Sequence, residues 1–318
     1  ARWYKFNEER LRSCDLLLAI SEATRQDAIR YLHISPEKVV NIGSGVSETF
    51  CRLQCVNHER LRKFGIVRDF VMYTGGFCWY KNIEGLITGW AHVPDEVRET
   101  RQLVVVCSLG RGQKEKFLRL AAGNGLREDE VVLTGYIPDE ELVELYNTCE
   151  LFVFPSFYEG FGLPVVEAMR CGAVVMGADN SSIREIIGLP EALFDAGDVT
   201  DIAAAIERGL TDHGLRRRLK DWGIKRGQAF TWRQSAERVL SSIRERFGHA
   251  KEYIASSQSE AEKQERFIRA VCSAITDYPC TEEEYLCIAR CYELNHARQD
   301  LLKNLIMLPA SATGWSLS

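Results

Sequence analysis

Between residues 70 and 211 the chain alternates short, continuously apolar runs with amphipathic segments, and few folds accept that pattern. The apolar runs at 70–73, 103–108, 131–134, 151–154, 173–176 and a short one at 192–194 have the length of buried strands. Helical periodicity fills the intervals 82–93, 113–123, 138–147, 164–171, 181–187 and 199–211. A strand with no polar alternation has to be covered on both faces, and a helix after each strand supplies the crossover that parallel pairing needs. The pattern predicts an α/β fold, a Rossmann-like parallel sheet with helices on both faces. Such sheets bind ligands beyond the carboxyl ends of their strands, near the point where strand order reverses. The loops after Tyr73, Val106, Thr134 and Phe154 should therefore gather on one side of the molecule.

One of those loops carries concentrated chemistry. The stretch Phe157-Tyr-Glu-Gly-Phe-Gly-Leu-Pro-Val-Val-Glu-Ala-Met169 follows the apolar run 151–154 directly. It places Glu159 and Glu167 eight residues apart, across a Gly-x-Gly turn and into a helix start. Pro164 suits the first helical position, which puts Glu167 in the first turn or just beyond it. The turn aims a carboxylate and several backbone N–H groups at one cleft, where the positive helix end attracts phosphate. A pocket for both a diphosphate and a polyhydroxy group needs this mixture of amide donors and carboxylate acceptors.

The stretch resembles the E-x7-E motif of retaining glycosyltransferases of the glycosyltransferase 1 group (family 4), which have the GT-B fold. Further likeness lies in Tyr73-Thr-Gly-Gly-Phe-Cys-Trp-Tyr-Lys-Asn82, Val132-Leu-Thr-Gly-Tyr-Ile-Pro138, Ala168-Met-Arg-Cys-Gly-Ala173 and Leu18-Ala-Ile-Ser-Glu-Ala-Thr24. It runs from about residue 10 to about residue 247. Members carry two Rossmann-like domains, the first of which binds the acceptor. Here only about 45 residues precede the Gly-rich connector Gly43-Ser-Gly-Val-Ser47. The resemblance therefore implies three parts. Residues 1–47 are a remnant of the acceptor domain with the connector. Residues 48–247 are a donor-binding domain for a nucleotide sugar. Residues 248–318 are a helical extension or a linker to another module.

The same resemblance implies roles. Lys81, after the Gly75-Gly76 turn, contacts the diphosphate, and Glu159 contacts hydroxyls of the donor sugar. Glu167 hydrogen-bonds the ribose. Gly76, Gly160, Phe161, Gly162 and Leu163 approach sugar and phosphates through backbone N–H groups, and Tyr136 and Ile137 lie against the base. The family usually places an arginine immediately before the lysine. Tyr80 stands there instead, so either Arg111 or Lys114 compensates or donor binding is weakened. Asn180, Ser181 and Ser182 read as the cap of the following helix.

Retention by a front-face route is implied, with a UDP- or GDP-sugar as donor substrate and a glycan or lipid-linked acceptor reached through the absent domain. No cofactor is expected. No Asp-x-Asp appears, so no metal is predicted. Bacterial surface polysaccharide synthesis is the implied setting, with a cytoplasmic location and peripheral membrane association of the parent protein as expectations. Two rivals stay open: a non-catalytic nucleotide-binding or scaffold module, favoured by Tyr80, and a GT-B epimerase, which would need a histidine-rich site.

Composition excludes other classes. A net charge of −5 without a basic stripe argues against nucleic acid. No apolar run reaches the length of a membrane span, and the polar start at Ala1 reads as mid-protein sequence rather than a signal peptide. Eleven cysteines form no small-domain framework, and reduced thiols are expected. Cys272, Cys280, Cys287, Cys291 and His296 match no standard zinc spacing and read as packed helical cysteines; Cys51, Cys55 and His58 are discounted likewise.

Overall fold

A computed structural model of the chain describes residues 11–56 and 58–247. The described residues form two compact units, one within 46–231 and one that joins 11–45 with 232–247. The expected extension at 248–318 and its cysteines lie outside the described residues.

The larger unit is built on six parallel strands: β3 (Asp69–Thr74), β4 (Arg101–Val106), β5 (Val131–Leu133), β6 (Leu151–Phe154), β7 (Val175–Ala178) and β8 (Leu193–Phe194). Their spatial order is β5-β4-β3-β6-β7-β8. The chain lays three strands outward from the centre and then three more in the opposite direction, so β3 and β6 are neighbours at the reversal, with Val71 in register with Leu151. This is the strand order of dinucleotide-binding Rossmann folds, and it puts the ligand crevice between β3 and β6.

The central strands are buried because they carry nothing that water could solvate. Val71, Met72, Leu103, Val104, Val105 and every residue of β6 have no accessible surface. On one face α3 (Ile83–His92) packs against α5 (Arg111–Gly123) and α9 (Val199–Thr211). On the other, α7 (Leu163–Cys171) packs against α6 (Asp139–Thr148) and α10 (His213–Gly227). The short helix α8 (Ser181–Ile187) lies on β7.

Sequence and structure differ mainly at boundaries. β7 begins two residues later than the apolar run suggests, because α7 ends in a left-handed cap. Gly172 has φ 82°, its N–H bonds the Met169 carbonyl at 3.0 Å, and the Ala173 N–H bonds the Ala168 carbonyl at 3.0 Å. That wrap consumes residues 172–173 before a strand can start. β4 begins two residues earlier than expected, since Asp69 pairs with Arg101 at the strand start. The short helices α2 (His58–Arg62) and α4 (Asp95–Arg98) are too brief to show periodicity. α4 nonetheless fixes a buried ion pair, Arg98 Nη1 to Glu130 Oε1 at 2.5 Å.

The smaller unit pairs β1 (Leu17–Ala19) with β2 (Val39–Asn41) in parallel, and α1 (Glu22–Leu32) connects them. Ser21 caps α1 as its Oγ accepts the Thr24 N–H at 3.0 Å. Helix α11 (Trp232–Phe247) belongs to this unit rather than to the nucleotide-binding fold. Trp232, Val239 and Ile243 recur on one helical face and bury against Ile42, Leu16 and Leu18. The apolar stripe of α11 finds its complement on the β1–β2 layer, which places the helix in this unit. No helix of the described residues is long and apolar enough to cross a membrane.

Candidate active site

The two loops that leave β3 and β6 at the strand reversal meet, and the first contact between them is backbone. The Phe157 N–H donates to the Tyr80 carbonyl at 2.7 Å. Residues 79–81 form a single 3-10 turn that ends at Asn82, whose φ of 54° is left-handed. Asparagine tolerates that conformation better than most residues. Its side chain then ties the β3 loop down: Asn82 Nδ2 donates to the Pro155 carbonyl at 3.2 Å and to the Ala196 carbonyl at 2.8 Å.

The result for Lys81 is a fixed ammonium. Lys81 Nζ lies 2.7 Å from Glu159 Oε1, with side-chain exposures of 15% and 10%. The ammonium also sits 5.4 Å from the Tyr80 ring centroid and 5.7 Å from that of Phe154. A cation between a carboxylate and two aromatic faces is held by charge and by the ring quadrupoles.

Glu159 is positioned from its backbone. Its N–H donates to Ser181 Oγ at 3.0 Å, and Ser182 Oγ donates to the carbonyls of Glu159 at 2.9 Å and Phe161 at 2.7 Å. Asn180 Nδ2 holds the Ser156 carbonyl at 3.0 Å. The expectation that Asn180, Ser181 and Ser182 merely cap a helix is corrected. The Asn180 side chain makes no cap hydrogen bond, and all three clamp the Glu159 loop. Ser181 adopts a positive φ of 39° to do so. Sequence carried one signal for this, three consecutive small hydrogen-bonding residues directly after an apolar strand.

Backbone conformation and packing require a glycine at position 162. Its φ is 102°, and a Cβ there would stand 2.5 Å from Ile183 Cδ1. It turns the chain into α7, whose first residue is Leu163, so Pro164 is second rather than first. Phe161 is buried edge-on against Phe230 at 5.8 Å, leaving only its backbone for a ligand. Gly160 is half-buried, and Gly76 is exposed with open space where a Cβ would be.

Glu167 lies farther along α7, with Oε2 accepting the Tyr146 hydroxyl at 2.9 Å. Tyr146 is fully buried, and burial first, then the neighbouring Glu167, pushes its pKa well above the usual phenol range. The phenol therefore stays a hydrogen-bond donor and orients the carboxylate. Tyr136 and Ile137 follow β5, which β4 separates from β3. Tyr136 is exposed and Ile137 buried.

Tyr80 supplies no charge. The neighbouring Cys78 side chain is the largest cause of a raised phenol pKa. Arg111, a possible substitute cation, is exposed and paired with Glu115 at 3.0 Å on its own helix, α5. Lys114 is exposed in the first turn of α5. Two hydroxyls near the strand reversal, Tyr73 OH and Ser156 Oγ, are buried without a hydrogen-bond partner. Each such group costs about 1–3 kcal/mol. Among the described residues, no three His, Cys, Asp or Glu side chains gather as a metal-ligand set.

The chain is similar to known proteins. Residues 62–226, just over half of the chain, match the family described as glycosyl transferases group 1. The chain is 36% identical over 233 residues to the serotype-specific mannosyltransferase WbdA of Escherichia coli, covering 72% of this chain and 28% of that protein. It is 30% identical over 240 residues to the O-antigen chain mannosyltransferase B of Escherichia coli, covering 74% of this chain and 62% of that one. The chain thus spans less than two thirds of the length of either relative. Among solved structures it resembles the sucrose-phosphate synthase of Thermosynechococcus elongatus, with a TM-score of 0.65 and 25% identity over 76% of this chain and 60% of that one. With its parallel sheet ordered as half of a GT-B fold, the chain belongs to the glycosyl transferases of group 1.

Proposed function

We propose that the larger unit is the donor-binding part of a retaining glycosyltransferase that moves a sugar from a UDP- or GDP-sugar to a glycan or lipid-linked acceptor. The observation that carries this reading is the Lys81–Glu159 pair at the β3–β6 reversal, 2.7 Å apart and sheltered from water. Lys81 neutralises the diphosphate as it leaves, with backbone N–H groups of the loop entering α7 as further donors. Glu159 accepts hydrogen bonds from sugar hydroxyls and stabilises positive charge growing at the anomeric carbon. Glu167 receives the ribose hydroxyls, and Tyr136 and Ile137 flank the base. The acceptor hydroxyl forms its bond to the anomeric carbon on the face the diphosphate leaves, passing its proton to the departing phosphate oxygen.

Leaving-group charge met by a lysine and amides needs no metal ion, and the reading is metal-independent. The mannosyltransferase relatives favour mannose as the sugar and a bacterial surface polysaccharide as the product. The acceptor is bound by a separate domain of a longer parent protein, which works at the cytoplasmic face of the membrane and associates with it peripherally.

A second reading, a non-catalytic nucleotide-binding module, is favoured by one observation: a neutral phenol, Tyr80, stands beside Lys81 and brings no cation to the site. Calorimetric titration of the chain with UDP, GDP, ADP and TDP, followed by UDP-glucose and GDP-mannose, tests both. Selective micromolar binding of one nucleotide and its sugar supports the donor site. Absence of binding by all of them sinks it, and binding without sugar transfer by the parent enzyme supports the module.

A further inference from the structure

Lys81 and Glu159 cancel each other's charge. The ammonium and the carboxylate lie 2.7 Å apart, with side-chain exposures of 15% and 10%, in the crevice between β3 and β6. Neutral groups stand around them. The Tyr80 and Phe154 rings are 5.4 and 5.7 Å from the ammonium, and Asn180, Ser181 and Ser182 hold the Glu159 loop. Arg111 on α5 and Arg184 on α8 are both exposed and already paired, with Glu115 at 3.0 Å and with Asp179 at 2.6 Å. An anion that reaches Lys81 therefore meets a cation engaged by a carboxylate.

Phosphate oxygens and Glu159 compete for that ammonium, and the contest is sharp because a sheltered site screens charge poorly. A free nucleoside diphosphate brings negative charge, and its terminal phosphate offers the carboxylate no donor. To draw Lys81 it has to lie against Glu159 or leave it without a counter-ion, and an uncompensated sheltered charge is destabilising. The Glu159 backbone is held on both sides, its N–H by Ser181 Oγ at 3.0 Å and its carbonyl by Ser182 Oγ at 2.9 Å, so the loop does not carry the carboxylate away. A nucleotide sugar answers both halves of the pair. Its esterified diphosphate carries less negative charge, and its sugar hydroxyls donate to the carboxylate while the phosphates accept from the ammonium.

We propose that Glu159, through its pairing with Lys81, sets the choice of this site between a nucleotide sugar and a free nucleoside diphosphate. It penalises the free nucleotide, and so hastens its departure once the sugar has been transferred. The inference rests on the reading of this crevice as a donor site and adds to it a specificity-determining role for the carboxylate.

The test compares the unaltered chain with Glu159→Gln by calorimetric titration with UDP, GDP, UDP-glucose and GDP-mannose. Glutamine keeps the shape and an acceptor oxygen but not the charge. The variant is expected to bind the free nucleoside diphosphate at least about fivefold tighter, and its nucleotide sugar within about twofold of the original. Circular dichroism checks that the variant folds. One comparison needs no variant: in the unaltered chain the nucleotide sugar should bind at least about threefold tighter than its own nucleoside diphosphate. Equal affinities there overturn the proposal. So does a free-nucleotide affinity that Glu159→Gln leaves unchanged or weakens, with the donor reading still standing. Tightening of both ligands by the same factor overturns it too, since the carboxylate then repels phosphate without discriminating. Nucleoside diphosphate binding by Glu159→Gln alone supports the proposal and the donor site together. Binding by neither chain defeats the donor reading, and the proposal falls with it.

Discussion

Lys81 Nζ and Glu159 Oε1, 78 residues apart in sequence, lie 2.7 Å from each other where the strand order reverses. Each residue sits on a loop that begins at the end of one of the two central strands. The pair is thus a direct product of β3 and β6 being neighbours. Because both side chains are largely sheltered, removing one leaves the other poorly solvated. Lys81→Met is expected to lower diphosphate affinity at least about tenfold and to destabilise the unit by ~1–3 kcal/mol. The double variant Lys81→Met/Glu159→Gln should recover most of the stability but none of the binding. Calorimetry with UDP, GDP and the monophosphates, beside thermal melts, separates the two effects; equal loss of monophosphate and diphosphate affinity sinks the assigned role of Lys81.

Asn82 acts through backbone conformation as well as hydrogen bonds. Asn82→Ala places a β-carbon at φ 54° and deletes the bonds to the Pro155 and Ala196 carbonyls. Asn82→Gly accepts the angle and loses only the bonds. Alanine should cost the more, by about 1 kcal/mol, reflecting left-handed strain. Both variants should weaken nucleotide binding by releasing Lys81. Denaturant unfolding of the two variants measures the difference, and identical midpoints would refute the strain argument.

For the ribose assignment the informative comparison is between Glu167 and the phenol that orients it. Glu167→Ala should weaken UDP or GDP about tenfold, yet leave inorganic pyrophosphate, which has no ribose, unaffected. Tyr146→Phe keeps the carboxylate but removes its 2.9 Å donor, and a smaller loss is expected. Unchanged nucleotide affinity in Glu167→Ala would show that the carboxylate faces something else.

Ser182 binds two carbonyls at once, those of Glu159 and Phe161, and is itself fully buried. Ser182→Ala strands both acceptors, at a cost of about 1–3 kcal/mol. Amide hydrogen exchange should rise across 157–163 while the strands keep their protection. Uniform exchange throughout the unit would mean that the serine supports the whole fold and not this loop.

Alkaline pH should destabilise the fold through its buried thiols. Burial pushes Cys149 up to about 12 and Cys107 up to about 11, from an ordinary value of 9.0. With the folded pKa raised, the folded state holds its protons longer. The stabilisation is complete below pH 9 and is lost as pH climbs from there through 11–12. Cys149→Ala should flatten the fall in melting temperature between about pH 9 and 11. A decline unchanged from the parent chain would assign the loss to other groups.

Much of the fold was legible because its causes are local. Continuous apolar runs announced strands covered on both faces, and helical periodicity located α9 at residues 199–211, the span the structure shows. The Gly-x-Gly turn between Glu159 and Glu167 likewise declared a strand–turn–helix junction. Resemblance could name Lys81 and Glu159 individually.

What tertiary structure decided is what depends on contacts between distant residues. Neither Lys81 nor Glu159 carries in its own neighbourhood a sign that the two form an ion pair; that follows from strand order alone. Ser182 looked like a cap and proved to hold the Glu159 loop, because β7 delivers it beside β6. The apolar face of helix α11 buries on Ile42, nearly two hundred residues earlier, a pairing that no local signal specifies. Local sequence determines which segments become strands and helices, since propensity, capping and periodicity act within a turn or two. Which strand lies beside which is set by the burial of whole faces, and in this protein that choice makes the site.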